Sequence, residues 1–116
     1  MSFGWHNWWP RFYNASTVAW LYNDWNYSVL GAAMGVEPDN GYIKDPAGSN
    51  DKIRAVVNAA IKEGIYVIID WHSHNTNLKE AKTFFAEMAT FYGKYPNLIY
   101  ELFKLKIIII FLLKNT

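Results

Sequence analysis

Residues 64–74 have the sequence Gly-Ile-Tyr-Val-Ile-Ile-Asp-Trp-His-Ser-His, an apolar run that ends in a cluster of polar side chains. A short run this rich in β-branched residues predicts a strand buried on both faces, as in a parallel sheet. Ligands of α/β proteins bind just outside the carboxyl ends of such strands. The stretch therefore predicts an α/β fold and also the place of a site, near Asp70, His72 and His74.

The composition narrows the class of protein. The chain has 116 residues, of which 52% are hydrophobic, so we expect one small folded domain. The net charge of +1 gives no electrostatic basis for binding nucleic acid or an anionic membrane. Aromatic residues reach 18%, with six Trp and eight Tyr, which exceeds the need of so small a core. The surplus rings either pack in the core or stack on flat ligands such as sugars, and composition leaves both open.

The absence of cysteine excludes disulfides, thiolate zinc sites and cysteine nucleophiles. The segment Met1–Trp5 has neither a basic region nor a long apolar one, so no signal peptide is predicted in it. Acceptor tripeptides for glycosylation at Asn14 and Asn26 give slight support for secretion, because such tripeptides also arise by chance.

The spacing of apolar residues predicts the order β-α-β-α-β-α-β with parallel strands. Residues 3–13 are predicted to hold a short or partial strand and then an aromatic loop. Further strands are predicted at residues 28–36, 65–70 and 98–103, with a long loop over 37–49. This order fits a small open sheet or part of a (β/α)₈ barrel, and a complete barrel needs about 250 residues.

Each of the three helices has predicted end signals. Ser16 or Thr17 is predicted to cap the first, Asn50 the second, and Asn77 with Glu80 the third as a capping box. Gly64 is predicted to end the second helix in a left-handed turn. The first helix has an apolar stripe at helical spacing, made of Val18, Leu21, Tyr22 and Trp25.

Several sequence segments resemble segments of the cellulases of glycoside hydrolase family 5, particularly secreted endoglucanases of plant-parasitic nematodes and their bacterial relatives. They include Trp5–Tyr13, Ala32–Glu37, residues 64–74, Tyr95–Asn97 and Tyr100-Glu101, in the family's order and spacing. The resemblance implies a (β/α)₈ barrel that hydrolyses internal β-1,4 bonds of cellulose with retention, outside the cell and without cofactor or metal. Residues 1–103 then correspond to strands one to four of a partial catalytic domain, and the other half of the barrel is not among the 116 residues.

The resemblance also assigns roles to single positions. His72 matches a site histidine beside the cleaved sugar, and Trp5 matches a sugar-stacking aromatic. The family has an arginine where this chain has Gly31, and its catalytic acid/base stands where this chain has Leu105. Glu101 is not a substitute, because four residues of strand place it about 13 Å below position 105. We therefore expect the chain itself to be inactive.

Some alternatives stay open. Residues 104–116 form an apolar tail unrelated to the family, which suggests a frameshift, a retained intron or a degraded gene copy. The chain is then either a non-catalytic glucan-binding remnant or a non-functional product. Asp70 and Glu37 are candidate cleft carboxylates with structural roles equally open, and a metal site at His72-Ser73-His74 lacks a third ligand. The remaining tryptophans considered, Trp8, Trp9, Trp20 and Trp25, are predicted to pack in the core.

Overall fold

A computed structural model describes residues 2–102 as one parallel sheet with its strands in chain order, β1-β2-β3-β4. The predicted alternation of strands and helices is confirmed, whereas the predicted tail of residues 104–116 lies outside the described residues. The strands are β1 (Ser2–Trp5), β2 (Val29–Gly35), β3 (Tyr66–His72) and β4 (Leu98–Leu102), and the helices are α1 (Ala15–Trp25), α2 (Pro46–Glu63) and α3 (Leu78–Tyr92), with a 3₁₀ turn at Pro10–Phe12.

Burial along β3 alternates from residue to residue. Val67, Ile69 and Trp71 are buried among the helices, with the ring centroids of Trp71 and Phe84 5.3 Å apart. The alternate side chains lie on the opposite face, where Tyr66 is 50% exposed. The prediction of burial on both faces is therefore wrong for this part of the chain, because the helices of residues 2–102 cover one face.

The first helix begins earlier than predicted. Asn14 is its N-cap, and its side-chain oxygen accepts hydrogen bonds from Thr17 N at 2.9 Å and Thr17 Oγ1 at 3.1 Å. The predicted cap at Ser16 or Thr17 is wrong because extended backbone at Asn14 already brings an acceptor to the helix start. Of the predicted stripe, Val18 and Leu21 are buried, whereas Trp25 is 58% exposed.

The second helix begins inside the predicted loop. Asp45 Oδ1 accepts from Gly48 N at 3.0 Å, and Pro46 takes the first helical position, where a missing amide hydrogen costs nothing. Asn50 is therefore not the cap; its Nδ2 donates to Glu87 Oε2 at 3.0 Å and so links α2 to α3. Gly64 ends the helix with φ of 73°, as predicted. None of the helices within residues 2–102 is long and apolar enough to cross a membrane.

Candidate functional site

Trp5 and His72 meet at the carboxyl ends of their strands. Trp5 is in register with Ala33 on β2, and Gly35 on the same strand is in register with His72 on β3. The ring centroids of Trp5 and His72 are 4.5 Å apart with planes inclined by 54°. The fold thus brings together the two side chains that the sequence marked as sugar-binding.

A bulge in β1 sets the direction of Trp5. Gly4 has φ of 74°, and the register with β2 shifts between Ser2 and Trp5. The buried Tyr13 hydroxyl donates to Gly4 O at 2.5 Å and accepts from Ala33 N at 3.0 Å, so it ties the bulge to β2. Burial raises the pKa of Tyr13 far above its usual value, which keeps the hydroxyl protonated as a donor.

Trp8 covers one face of Trp5. Their ring centroids are 4.7 Å apart and their planes 11° from parallel, and Trp8 is 63% exposed. The predicted core packing of Trp8, Trp9, Trp20 and Trp25 is wrong, since all four are exposed. Trp8 and Trp9 lie in the turn that follows β1, whereas Trp20 and Trp25 contact each other edge to face on the surface of α1.

Asp70 orients His72. The two residues are two positions apart on β3 and therefore share a face, and Asp70 Oδ2 lies 2.9 Å from His72 Nδ1. When Asp70 is ionised it can only accept, so Nδ1 carries the hydrogen and Nε2 of the neutral ring is an acceptor. Asp70 thus holds the ring that contacts Trp5 and leaves Nε2 as an acceptor.

His6 connects three elements beneath this site, a role that the sequence analysis missed. Its buried ring accepts a hydrogen bond from Gly35 N at Nδ1 (3.0 Å), so Nε2 carries the hydrogen and donates to Ser49 Oγ (2.9 Å). Desolvation lowers the pKa of His6, which keeps it neutral. Its position directly after Trp5 at the end of β1 was the available signal.

Glu37 binds the loop that follows β3. Its carboxylate accepts from His74 N at 2.6 Å, Ser73 Oγ at 2.9 Å and Asn77 Nδ2 at 2.9 Å. The predicted capping box at Asn77 is wrong, because its side chain turns to Glu37 and caps no helix amide. The sequence named Glu37 as a candidate carboxylate but could not show this cluster, since the donors lie nearly forty residues further along the chain.

Of the two positions that depart from the family pattern, the structure describes Gly31 and does not describe Leu105. Gly31 is in register with Ile68, one side-chain layer below the pair formed by Ala33 and Asp70, and Glu101 pairs with Asp70 across β3 and β4. The position predicted to have lost the acid/base, Leu105, lies outside the described residues. Within residues 2–102 no group of three or more His, Asp or Glu could hold a metal ion.

The sequence model of the cellulases of glycosyl hydrolase family 5 matches residues 1–103. The chain belongs to glycoside hydrolase family 5. This membership agrees with the (β/α)-type order of the described strands and helices.

Among the proteins similar to this family 5 chain is Endoglucanase Z of Dickeya dadantii, 52% identical over 95 residues that cover 80% of this chain and 22% of that protein. Endoglucanase A of Evansella cellulosilytica is 46% identical over 100 residues, covering 82% and 20%. The family 5 chain thus spans about a fifth of the length of these curated relatives.

Solved structures give the same picture for this family 5 chain. A Cytophaga hutchinsonii protein has a TM-score of 0.83 at 51% identity, covering 86% of this chain and 33% of that one. The catalytic domain of a Thermobifida fusca endoglucanase has a TM-score of 0.79 at 32% identity, covering 86% and 34%, and a variant of it was solved with cellotetraose.

Proposed function

We propose that this family 5 chain binds β-1,4-glucan at the site formed by Trp5, Trp8 and His72, as part of the machinery that hydrolyses internal β-1,4-glucosidic bonds in cellulose. The observation that carries the proposal is the approach of Trp5 and His72 to 4.5 Å at the carboxyl ends of parallel strands. The endoglucanase names of the relatives and the cellotetraose complex of the Thermobifida fusca variant support the substrate class.

The chemistry of the site suits a sugar. A glucose ring has apolar C–H faces that pack on an indole and hydroxyls around its rim that need hydrogen-bond partners. The outward ring of Trp8 offers an exposed stacking face. His72, fixed by Asp70 and with 39% of its side chain exposed, supplies an acceptor next to Trp5, the ring on which Trp8 stacks.

Cleavage of the glycosidic bond needs catalytic groups that positions 31 and 105 of this chain do not supply. A retaining glycosidase needs a general acid/base and a nucleophile about 5–5.5 Å apart around the scissile bond. The position that the family uses for the acid/base is Leu105, and the arginine position is Gly31, so neither provides a proton or a charge. We therefore propose that the 116-residue chain binds glucan and does not cleave it.

Two measurements on the purified chain test this proposal. Affinity electrophoresis in a gel that contains a soluble cellulose derivative should show retardation, and a reducing-sugar assay on carboxymethyl-cellulose should show no turnover. Turnover would refute the non-catalytic role. Unretarded migration would refute glucan binding and favour a non-functional gene product.

We also propose that the protein acts outside the cell, because cellulose is an insoluble polymer that enzymes meet there. Asn26, in one of the two acceptor tripeptides, is exposed at the end of α1. Immunodetection in separated medium and cells of the native organism tests the location, and retention of all the protein in the cells would contradict it.

A further inference from the structure

One carboxylate organises the loop between β3 and α3. Glu37 follows the end of β2 by two residues and is half-buried at the carboxyl end of the sheet. Its Oε1 accepts from His74 N, and its Oε2 accepts from Ser73 Oγ and Asn77 Nδ2. Three donors of a single loop thus converge on a side chain from the preceding β–α connection.

These bonds are of the stronger kind. Hydrogen bonds to an ionised carboxylate are shorter and stronger than those between neutral groups, and the contact from His74 N to Glu37 Oε1 is short at 2.6 Å. Asn77 Nδ2 donates also to Ser73 Oγ at 3.0 Å, so the donors are linked to each other as well as to Glu37. Removal of the carboxylate would leave His74 N and Asn77 Nδ2 without this acceptor, whereas the Ser73 hydroxyl also has the Asn75 carbonyl as an acceptor.

The backbone of the loop needs such support. Asn77 has φ of 40°, in the left-handed region that residues other than glycine rarely adopt. Strained backbone of this kind persists where the surrounding contacts fix it. Here the hydrogen bonds from the side-chain amide of Asn77 to Glu37 and Ser73 supply that constraint.

The loop also borders the sugar site. It begins directly after His72, and the His74 ring centroid lies 5.9 Å from that of Trp5. His72 approaches Trp5 at 4.5 Å, so both histidines that flank Ser73 contact the same indole. The path of the loop therefore decides where His74 stands along Trp5.

We propose that Glu37 is a positioning residue for glucan binding, which fixes the loop of residues 73–77 and so holds His74 against Trp5. This inference rests on the proposed function and adds a residue that shapes the same site without contacting the sugar. Glu37 acts through its contacts to residues 73, 74 and 77, and its effect reaches the ligand through the imidazole ring of His74.

The test compares variants of the 116-residue chain by amide NMR. Glu37→Ala removes the acceptor, whereas Glu37→Gln keeps one oxygen that accepts from His74 N. Glu63→Gln is the matched control, because Glu63 ends α2 at the opposite end of the sheet. The amide of His74 reports the loop, amides of α2 report the fold, and a cellotetraose titration followed at the tryptophan indole N–H signals reports binding.

The expected result has two parts. In Glu37→Ala the His74 amide loses its protection from exchange, and the Kd for cellotetraose rises roughly tenfold, which corresponds to about 1.4 kcal/mol. Glu37→Gln gives intermediate changes in both, and Glu63→Gln behaves as the unaltered chain. In Glu37→Gln the exchange protection of the His74 amide and the affinity for cellotetraose should recover in part and together. A role of Glu37 in overall stability alone would not produce this joint recovery.

The possible failures can be told apart. An unaltered chain that does not bind cellotetraose refutes the proposed function and, with it, the role of Glu37 in binding. If the unaltered chain binds cellotetraose and Glu37→Ala binds it equally well, the role of Glu37 is refuted and the proposed function is not. If Glu37→Ala does not fold, Glu37→Gln decides, and a Kd equal to that of the unaltered chain together with an unprotected His74 amide overturns the inference.

Discussion

Trp8 stacks on Trp5 with ring centroids 4.7 Å apart and planes 11° from parallel. The aromatic platform expected at Trp5 is therefore two rings thick, and its open face belongs to Trp8. His72, which belongs to β3, contacts the inner ring of the pair. We therefore expect Trp8 to matter as much as Trp5 to the proposed glucan binding.

We expect Trp8→Ala and Trp5→Ala each to weaken binding to a soluble cellulose derivative, with a loss of about 1–2 kcal/mol in the free energy of binding. The loss arises because Trp8→Ala removes the stacking face and Trp5→Ala removes its support. Affinity electrophoresis over a series of polymer concentrations gives the dissociation constants. Trp20→Ala is the matched control, since Trp20 is also exposed but lies on α1. Equal losses in all three variants would point to non-specific adsorption.

We expect the free energy of unfolding to decrease as the pH falls below 6.5, through His6. Burial places the pKa of folded His6 below its usual value of 6.5, so the unfolded chain binds more protons in the interval between them. The contribution is fully present above pH 6.5 and is lost as the pH falls through the folded-state pKa. Urea denaturation at intervals between about pH 7.5 and 5.5 measures the slope.

Two variants assign that slope. His6→Gln should flatten it, because the group that titrates differently in the folded and unfolded states has gone. His74→Gln replaces an exposed histidine and should leave the slope unchanged. A slope that persists in His6→Gln would place the pH dependence elsewhere.

The Tyr13 hydroxyl should contribute to stability out of proportion to its size. Tyr13→Phe leaves the Ala33 amide without the acceptor that it now has at 3.0 Å, in a buried position. Such a loss costs about 1–3 kcal/mol of the free energy of unfolding. Chemical denaturation measures it, and Tyr66→Phe, with the ring half exposed, should change stability by less than about 0.5 kcal/mol. A neutral Tyr13→Phe would mean that the bulge at Gly4 needs no anchor.

The cap of α1 gives a further expectation. Asn14→Ala removes the acceptor for Thr17 N and should lower the free energy of unfolding by about 1 kcal/mol. Asn23→Ala, inside the same helix and exposed, should be neutral or raise it by up to about 0.5 kcal/mol, because alanine is the better helix former. Thermal unfolding followed by circular dichroism compares the two. Similar effects would contradict the capping role.

The sequence predicted well where local pattern decides structure. Residues 65–70 have no charge before Asp70, so the position of β3 and the polar end of that strand could be inferred from composition and length. Gly64 was equally clear, since a left-handed helix end favours glycine. Parallel strands place Trp5 and His72 at the same edge of the sheet, whereas the contact between their rings also depends on the bulge at Gly4, which the sequence did not predict.

The errors arose where distant residues compete for the same group. Asn77 has the spacing of a capping box with Glu80, yet the carboxylate of Glu37 takes its amide. Asn50 is a plausible cap, but Asp45 reaches the amide of Gly48 first and Glu87 engages Asn50. Periodicity also could not show that Trp25 lies beyond the reach of the core. Sequence spacing measures neighbours along the chain and is silent about partners brought in by folding.

The strand order β1-β2-β3-β4 matches the order in which a ribosome makes the chain. Each new strand pairs with the strand completed just before it, so no segment has to wait for a partner synthesised much later. Amino-terminal parts of a polypeptide are available for folding first during synthesis, and pairing of segments that are close in the chain costs less loop-closure entropy than pairing of distant ones. The sheet can therefore be assembled one unit at a time as the nascent polypeptide emerges, with Trp5 in place before His72 has been translated.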